Sequence, residues 1–250
     1  MKRLSVASII MVLGAAITSG QQPGLSPTDT AIKFYSELRQ KRYVEGFRHS
    51  VYRAAVEGLA PADLKDLEPD FAATFSVIPN KIEPQGEQIR GDTALVKLKF
   101  EGDDALKEVM LIREGSEWLV GDKDALAAVR GEGRAFFFNA RMLVNEAEAY
   151  EMLQLIVGAE TIYAHKFEGR CASLEELIKL GGVPKDIETQ GGYRFALTLG
   201  QDNKSFFATA TPTVYKRTGR LSFYADMNGI RGQDLKGKLA SVTSPVYVPK

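Results

Sequence analysis

One cysteine, two histidines and one tryptophan stand among 250 residues, and each scarcity excludes something. A single thiol, Cys171, excludes an intramolecular disulfide. It is either buried or open to an intermolecular link, and free cysteines mostly behave as small hydrophobes. His49 and His165 are too few for a zinc cluster, and no Cys/His group has metal-ligand spacing. Charge of one sign is also missing. Lys and Arg number 32, as do Asp and Glu, so nothing in the balance points to nucleic acid or an anionic membrane surface. The pairs Gly181-Gly182 and Gly191-Gly192 lack the context of a phosphate loop, and no cofactor is expected. No internal repeat or low-complexity tract interrupts the chain.

What is present begins with a targeting pattern. Lys2 and Arg3 precede an apolar run, Leu4 to Ile17, and Thr18-Ser19-Gly20 ends in a small residue. This reads as a signal peptide over residues 1–20, cleaved near Gly20/Gln21. The run is shorter than the about 20 residues a bilayer span needs. The expectation is a periplasmic or secreted protein without an integral membrane segment after cleavage; a retained anchor is the other reading.

Residues 21–25 read as a linker, rich in Gln, Pro and Gly. Ser26, Pro27 and Asp29 then form a helix start. Ile32, Tyr35 and Leu38, widened by Ala31 and Phe34, predict a core-facing helix. A second helix is expected over Val44–Leu59, and a short third near Asp63–Leu67, ended by Pro69. The period then changes. Lys81–Ile89, broken by Pro84, reads as an edge strand. Ala94–Phe100 alternates with period two, Leu106–Arg113 is another strand, Glu114–Glu117 a hairpin turn, and Trp118–Val120 the last strand. Residues 26–122 therefore read as one α+β domain. Residues 123–134, charged and carrying Gly131 and Gly133, read as a linker to a second domain over 135–250. The fold class is α+β with two domains.

The opening Ala31-Ile32-Lys33-Phe34-Tyr35 helix, the Gly91-Asp92 hairpin and the closing Gly115-Ser116-Glu117-Trp118-Leu119-Val120 resemble the nuclear-transport-factor-two-like superfamily. That resemblance implies a cone of helices on a curved antiparallel sheet. Further on, Asn145-Glu146-Ala147, Ala159–Tyr163 and Ser173-Leu174-Glu175-Glu176-Leu177 are followed by strand patterns at Gly191–Leu199, Phe206–Thr211 and Arg220–Tyr224. This order resembles the soluble half of type IV pilins and type II secretion pseudopilins. It implies a helix packed on an antiparallel sheet. The long apolar N-terminal helix of that family is absent. Arg134-Ala135-Phe136-Phe137-Phe138-Asn139 offers four apolar residues in a row and follows a full domain. In the helix itself, Leu143, Ala147, Tyr150 and Val157 mark one stripe, and Met142, Ala149, Leu153 and Ile156 the adjoining one.

Few residues invite chemistry. The cone resemblance implies a pocket near His49, with Tyr35 and Trp118 at its mouth; a half-exposed helical histidine and two core aromatics explain the same residues without a ligand. No Ser-His-Asp order can be assembled. Asp226, Asn228 and Asp234 are weak calcium candidates, because calcium takes six to eight oxygens. Asn228-Gly229 as a hairpin turn needing positive φ accounts for the same residues. Tyr215-Lys216-Arg217-Thr218-Gly219-Arg220 is a basic loop suited to an acidic glycan or partner, or simply a solvated turn. The functional expectation is a non-enzymatic, envelope-associated binding or scaffold module. Its partner would be an envelope, pilus or secretion-system protein. The alternatives are a small-molecule or enzymatic cone pocket, and a minor pseudopilin-like component.

Overall fold

Ser26 starts the first helix as its spacing predicts. In the computed structural model, which describes residues 24–249, its hydroxyl accepts from the Asp29 N–H at 3.0 Å. The expected leader and cleavage position lie outside the described residues. Helix α1 (Pro27–Arg39) buries Ala31, Phe34 and Leu38. The expected helix over Val44–Leu59 is instead two short ones, α2 (Tyr43–Phe47) and α3 (Arg53–Val56). The break has a tertiary cause. Ser50 leaves the helix to bridge Val120; the Val51 N–H donates to the Val120 carbonyl at 3.0 Å, and the Val120 N–H to the His49 carbonyl at 2.9 Å.

Helix α4 corrects the third expectation. It runs Pro61–Phe75, straight through Pro69. A proline inside a helix removes one ladder bond and crowds the preceding turn. Here Pro69 is exposed, while Leu67 and Phe71 are buried on the other face. The Asp66 carbonyl in the disturbed turn is taken by Arg141 Nη2 at 2.6 Å.

The strands follow their pattern. β1 (Ile82–Arg90), β2 (Thr93–Phe100), β3 (Leu106–Glu114) and β4 (Glu117–Val120) form an antiparallel meander in chain order. β1 is an edge strand, with its register shifting between Pro84 and Gly86. Alternation on β2 buries Ala94, Val96, Leu98 and Phe100 against the helices. Residues 123–134, expected as a linker, are helical. α5 (Lys123–Glu132) is capped by Asp122, and a 3-10 turn (Gly133–Ala135) follows. α5 covers a small second cluster of Val51, Ile112 and Leu119. Gly121 makes this approach possible: its φ is 129°, and a Cβ there would lie 2.5 Å from Val51.

The second lobe is built on α6 (Phe136–Lys166), 31 residues long. Its buried positions are Phe138, Met142, Glu146, Ala149, Leu153, Ile156 and Glu160. Steps of four and three make one stripe along one face. The adjoining row behaves differently, and Leu143 is 64% exposed. Ala149, Leu153 and Ile156 pack on a second antiparallel meander of β5 (Tyr193–Leu199), β6 (Phe206–Pro212), β7 (Ser222–Asp226) and β8 (Gly229–Gln233). α7 (Leu174–Lys179) begins with a reciprocal capping box between Ser173 and Glu176. The fold is thus α+β, with two four-stranded antiparallel sheets.

The lobes meet through the start of α6. Phe137, half-buried, packs against the first core with ring centroids 5.0 Å from Phe47 and 4.9 Å from Phe71. Phe138 is a buried member of the same core. One turn on, Arg141 Nε donates to Asp70 at 2.7 Å. Asp63, Asp66 and Asp70 lie on one face of α4 by their spacing, and Arg217 from the second lobe reaches Asp63 at 2.6 Å. Phe137→Ala should destabilise the protein by about 3 kcal/mol, measured by urea denaturation. Leu143→Ala, exposed on the same helix, should change stability by less than about 0.5 kcal/mol.

Candidate functional site: a cationic cleft between the lobes

The loop joining β6 to β7 is fastened to α6 by two consecutive side chains. Asn145 Nδ2 donates to the Thr218 carbonyl at 2.8 Å. The Glu146 carboxylate, 4% exposed, accepts from the Arg220 and Leu221 N–H groups at 2.8 and 3.1 Å. Within the loop, Thr218 Oγ1 accepts from the Val214 N–H at 3.1 Å, and the Lys216 N–H donates to the Gly219 carbonyl at 2.9 Å. Gly219 is needed because the Tyr193 hydroxyl passes 2.2 Å from where its Cβ would be. That hydroxyl donates to the Leu221 carbonyl at 2.7 Å. Burial pushes the Tyr193 phenol far up, so it stays a neutral donor.

The pinned loop aims its cations at the seam between the lobes. Arg217 stacks 4.1 Å over the Phe138 ring while paired with Asp63. Lys216 and Arg220 are exposed and form no ion pair among the described residues. Arg134, from the opposite side, donates to the Gly58 carbonyl at 2.9 Å. Together these four cations edge a cleft of about 560 Å³ with Leu59, Phe138 and Met142 in its lining. The acids nearby are Asp63 and Asp66, 2.6 and 3.9 Å from Arg217, and on the adjoining wall Glu146, bound to the Arg220 N–H, and Glu132, which accepts from Asn139 at 2.7 Å. The cleft is therefore edged by cations, with an apolar surface beneath.

The residues singled out for a cone pocket are placed elsewhere. Tyr35 packs edge-on against Phe100 at 5.1 Å, and burial raises its phenol. Trp118, 7% exposed, belongs to the same core and carries Arg113 4.4 Å over its ring. His49 sits in the turn after α2, half-buried. Burial first and Lys33 second push its pKa below the usual value, so it is neutral at pH 7. No side-chain hydrogen bond joins the three among the described residues, and none of the three lines the main clefts there. The helix-facing side of the first sheet is filled by Phe34, Phe47, Phe71 and the incoming Phe137. Sequence reasoning passed over Phe136–Phe138 as anything but a failed membrane span. Three consecutive aromatics at a helix start were the available signal.

The calcium candidates are engaged in turns. Asp226 Oδ1 accepts from the Asn228 N–H at 2.7 Å, and Asp234 Oδ1 from the Lys236 N–H at 3.2 Å. The hairpin pairs Asp226 with Gly229, so its central residues are Met227 and Asn228, with positive φ, 128°, at Gly229 alone. Among the described residues no three His, Cys, Asp or Glu side chains gather as a metal site. Compared with known proteins, the chain matches no family model, no curated protein and no solved structure.

Two buried carboxylates give direct tests. Glu146→Ala removes the acceptor of two N–H groups and should cost about 2 kcal/mol, read from the denaturant midpoint. Glu160, fully buried, accepts from the Ala172 N–H at 2.9 Å, and burial raises its carboxyl above the ordinary 4.5. The folded state then holds this proton more tightly than the unfolded chain. Its contribution to stability is greatest below pH 4.5 and declines as pH rises through the raised folded value. Glu160→Gln abolishes that decline. The stability difference between variant and native protein should move in the variant's favour from pH 4 towards neutrality, and an opposite slope in pH-dependent unfolding would contradict the assignment.

Proposed function

We propose that the protein is an extracytoplasmic, non-enzymatic binding or scaffold module of the bacterial envelope. The observation that carries this reading is α6, one uninterrupted helix whose two ends lie in two different cores. A splint of this kind fixes the spacing of two lobes and presents the seam between them to a partner. The leader pattern at Lys2–Gly20 supplies the compartment. A further surface supports partner binding. Leu155, Ile162, Phe167 and Leu180, each at least 43% exposed, line a groove of about 440 Å³ between α6 and α7. In this reading the first lobe is a cone-type domain and the second a pilin-like one, reused without fibre assembly.

A second reading, a minor pseudopilin-like component, is favoured by the continuity of α6 over an antiparallel sheet. No helix among the described residues is long and apolar enough to cross a membrane. Fractionation with N-terminal sequencing and crosslinking in intact cells separates the two. The module should begin near Gln21, lie outside the cytoplasm and crosslink to an envelope protein. Cytoplasmic protein retaining Met1 would refute the compartment, and a mature protein that crosslinks to nothing would refute the scaffold role. Uncleaved protein in the membrane pellet would favour the pseudopilin-like reading.

A further inference from the structure

We infer that the cleft between the lobes binds an acidic polypeptide segment, in which carboxylates flank an apolar side chain. The inference rests on the reading of this protein as a binding module and names the chemistry of its partner. Three observations carry it. The first is charge. Arg134, Lys216, Arg217 and Arg220 converge on one cleft from both sides of the seam, although the chain has no basic excess overall. Lys216 and Arg220 are exposed and hold no carboxylate among the described residues. Four cations share the cleft with one carboxylate of its lining, Asp63; like charges in such excess raise one another's electrostatic energy, and an incoming anion relieves it.

The second is an internal stand-in. Asp63 is a peptide carboxylate already seated in this cleft, 2.6 Å from Arg217 Nη2, with the guanidinium stacked on Phe138. It shows the geometry that a partner's Asp or Glu would adopt on the neighbouring cations. The third is the lining. Leu59, Phe138 and Met142 offer apolar surface beneath the cations, in a space of about 560 Å³, within the usual range for a bound group. An acidic glycan fits less well. Sugar rings seek a free aromatic face, and Phe138 already carries two guanidinium groups, Arg217 at 4.1 Å and Arg141 at 5.5 Å. An aliphatic side chain between two carboxylates uses the lining and the cations together.

The loop is built to keep this arrangement. Asn145 and Glu146 fasten its backbone at Thr218, Arg220 and Leu221, so the chain that carries the cations is held in place. Preorganised charge lowers the ordering cost of binding.

The test titrates the full mature chain with fluorescein-labelled Glu-Leu-Glu-Leu-Glu, its Gln-Leu-Gln-Leu-Gln counterpart, and polygalacturonate. The acidic peptide should bind, the glutamine peptide should bind about tenfold or more weakly, and affinity should fall as salt rises from about 50 to about 500 mM. Lys216→Glu with Arg220→Glu should weaken the acidic peptide at least about tenfold while leaving the melting temperature unchanged, because both side chains are exposed. Lys123→Glu, on α5 outside the cleft, should leave binding unaltered. Absence of acidic-peptide binding at low salt, or equal binding by the double variant, overturns the inference. Binding of polygalacturonate without the peptide overturns the peptide assignment. Neither failure touches the compartment and crosslinking results, so the broader reading stands or falls separately.

Discussion

The insertion of Phe137 and Phe138 into the first core is the contact on which the rest depends. Both rings belong to a helix whose later turns form the core of the second lobe. Polar contacts across the same seam are numerous, yet they rank second. Asp66 and Asp70 are 45% and 47% exposed, and ion pairs with such half-solvated partners contribute about 0–1 kcal/mol each. A buried aromatic side chain contributes about 2–3 kcal/mol. Burial therefore contributes more to holding the lobes together than the Asp–Arg contacts do. Arg141 illustrates the division. It is 12% exposed, stacks on Phe138, and spends its donors on the Asp70 and Asp66 carboxylates and the Asp66 carbonyl.

That single helix also explains why polar residues gather at the junction. Its buried stripe runs through both cores at steps of three and four, but the two cores do not touch. Glu146 occupies the stripe where one core has ended and the other has not begun. A leucine there would face backbone N–H groups from the β6–β7 loop. The carboxylate accepts two of them instead. Glu160 repeats the device near the other end, on the Ala172 N–H; its other oxygen is buried without a partner, and burial raises its carboxyl.

Much of the fold was legible because periodicity is a local property. The Ser26 cap, the alternation of Ala94–Phe100 and the edge character of the Pro84 strand are all read within a few residues. The misreadings came from distant partners. Val44–Leu59 has helical spacing, but β4 recruits residues 49–51 and breaks it. Pro69 is a stop signal, but its helix continues because Leu67 and Phe71, on either side of it, are buried in the same core. Residues 123–134 look like a linker by charge and glycine, yet Val129 is fully buried. The cleft was half legible. The basic loop stands out in sequence, whereas its position opposite Arg134 and Asp63 depends on how α6 carries one lobe onto the other.

The same dependence bears on where function can reside. A pocket inside the first lobe needs empty space between helices and sheet, and Phe137 occupies part of that space with a side chain from outside the lobe. Docking the second lobe thus fills the first interior and, in the same movement, creates the seam. The ring that closes one cavity is followed by the ring, Phe138, that supports Arg217 in the other. A lobe closed in this way keeps little interior space and borders an external cleft, whose cations come mostly from a loop of the second lobe. Any ligand chemistry of this protein should then respond to substitutions at the junction more strongly than to changes at Tyr35, His49 or Trp118. Those three pack in a core or sit in a turn, and the junction is where four cations border one cleft with a single carboxylate in its lining.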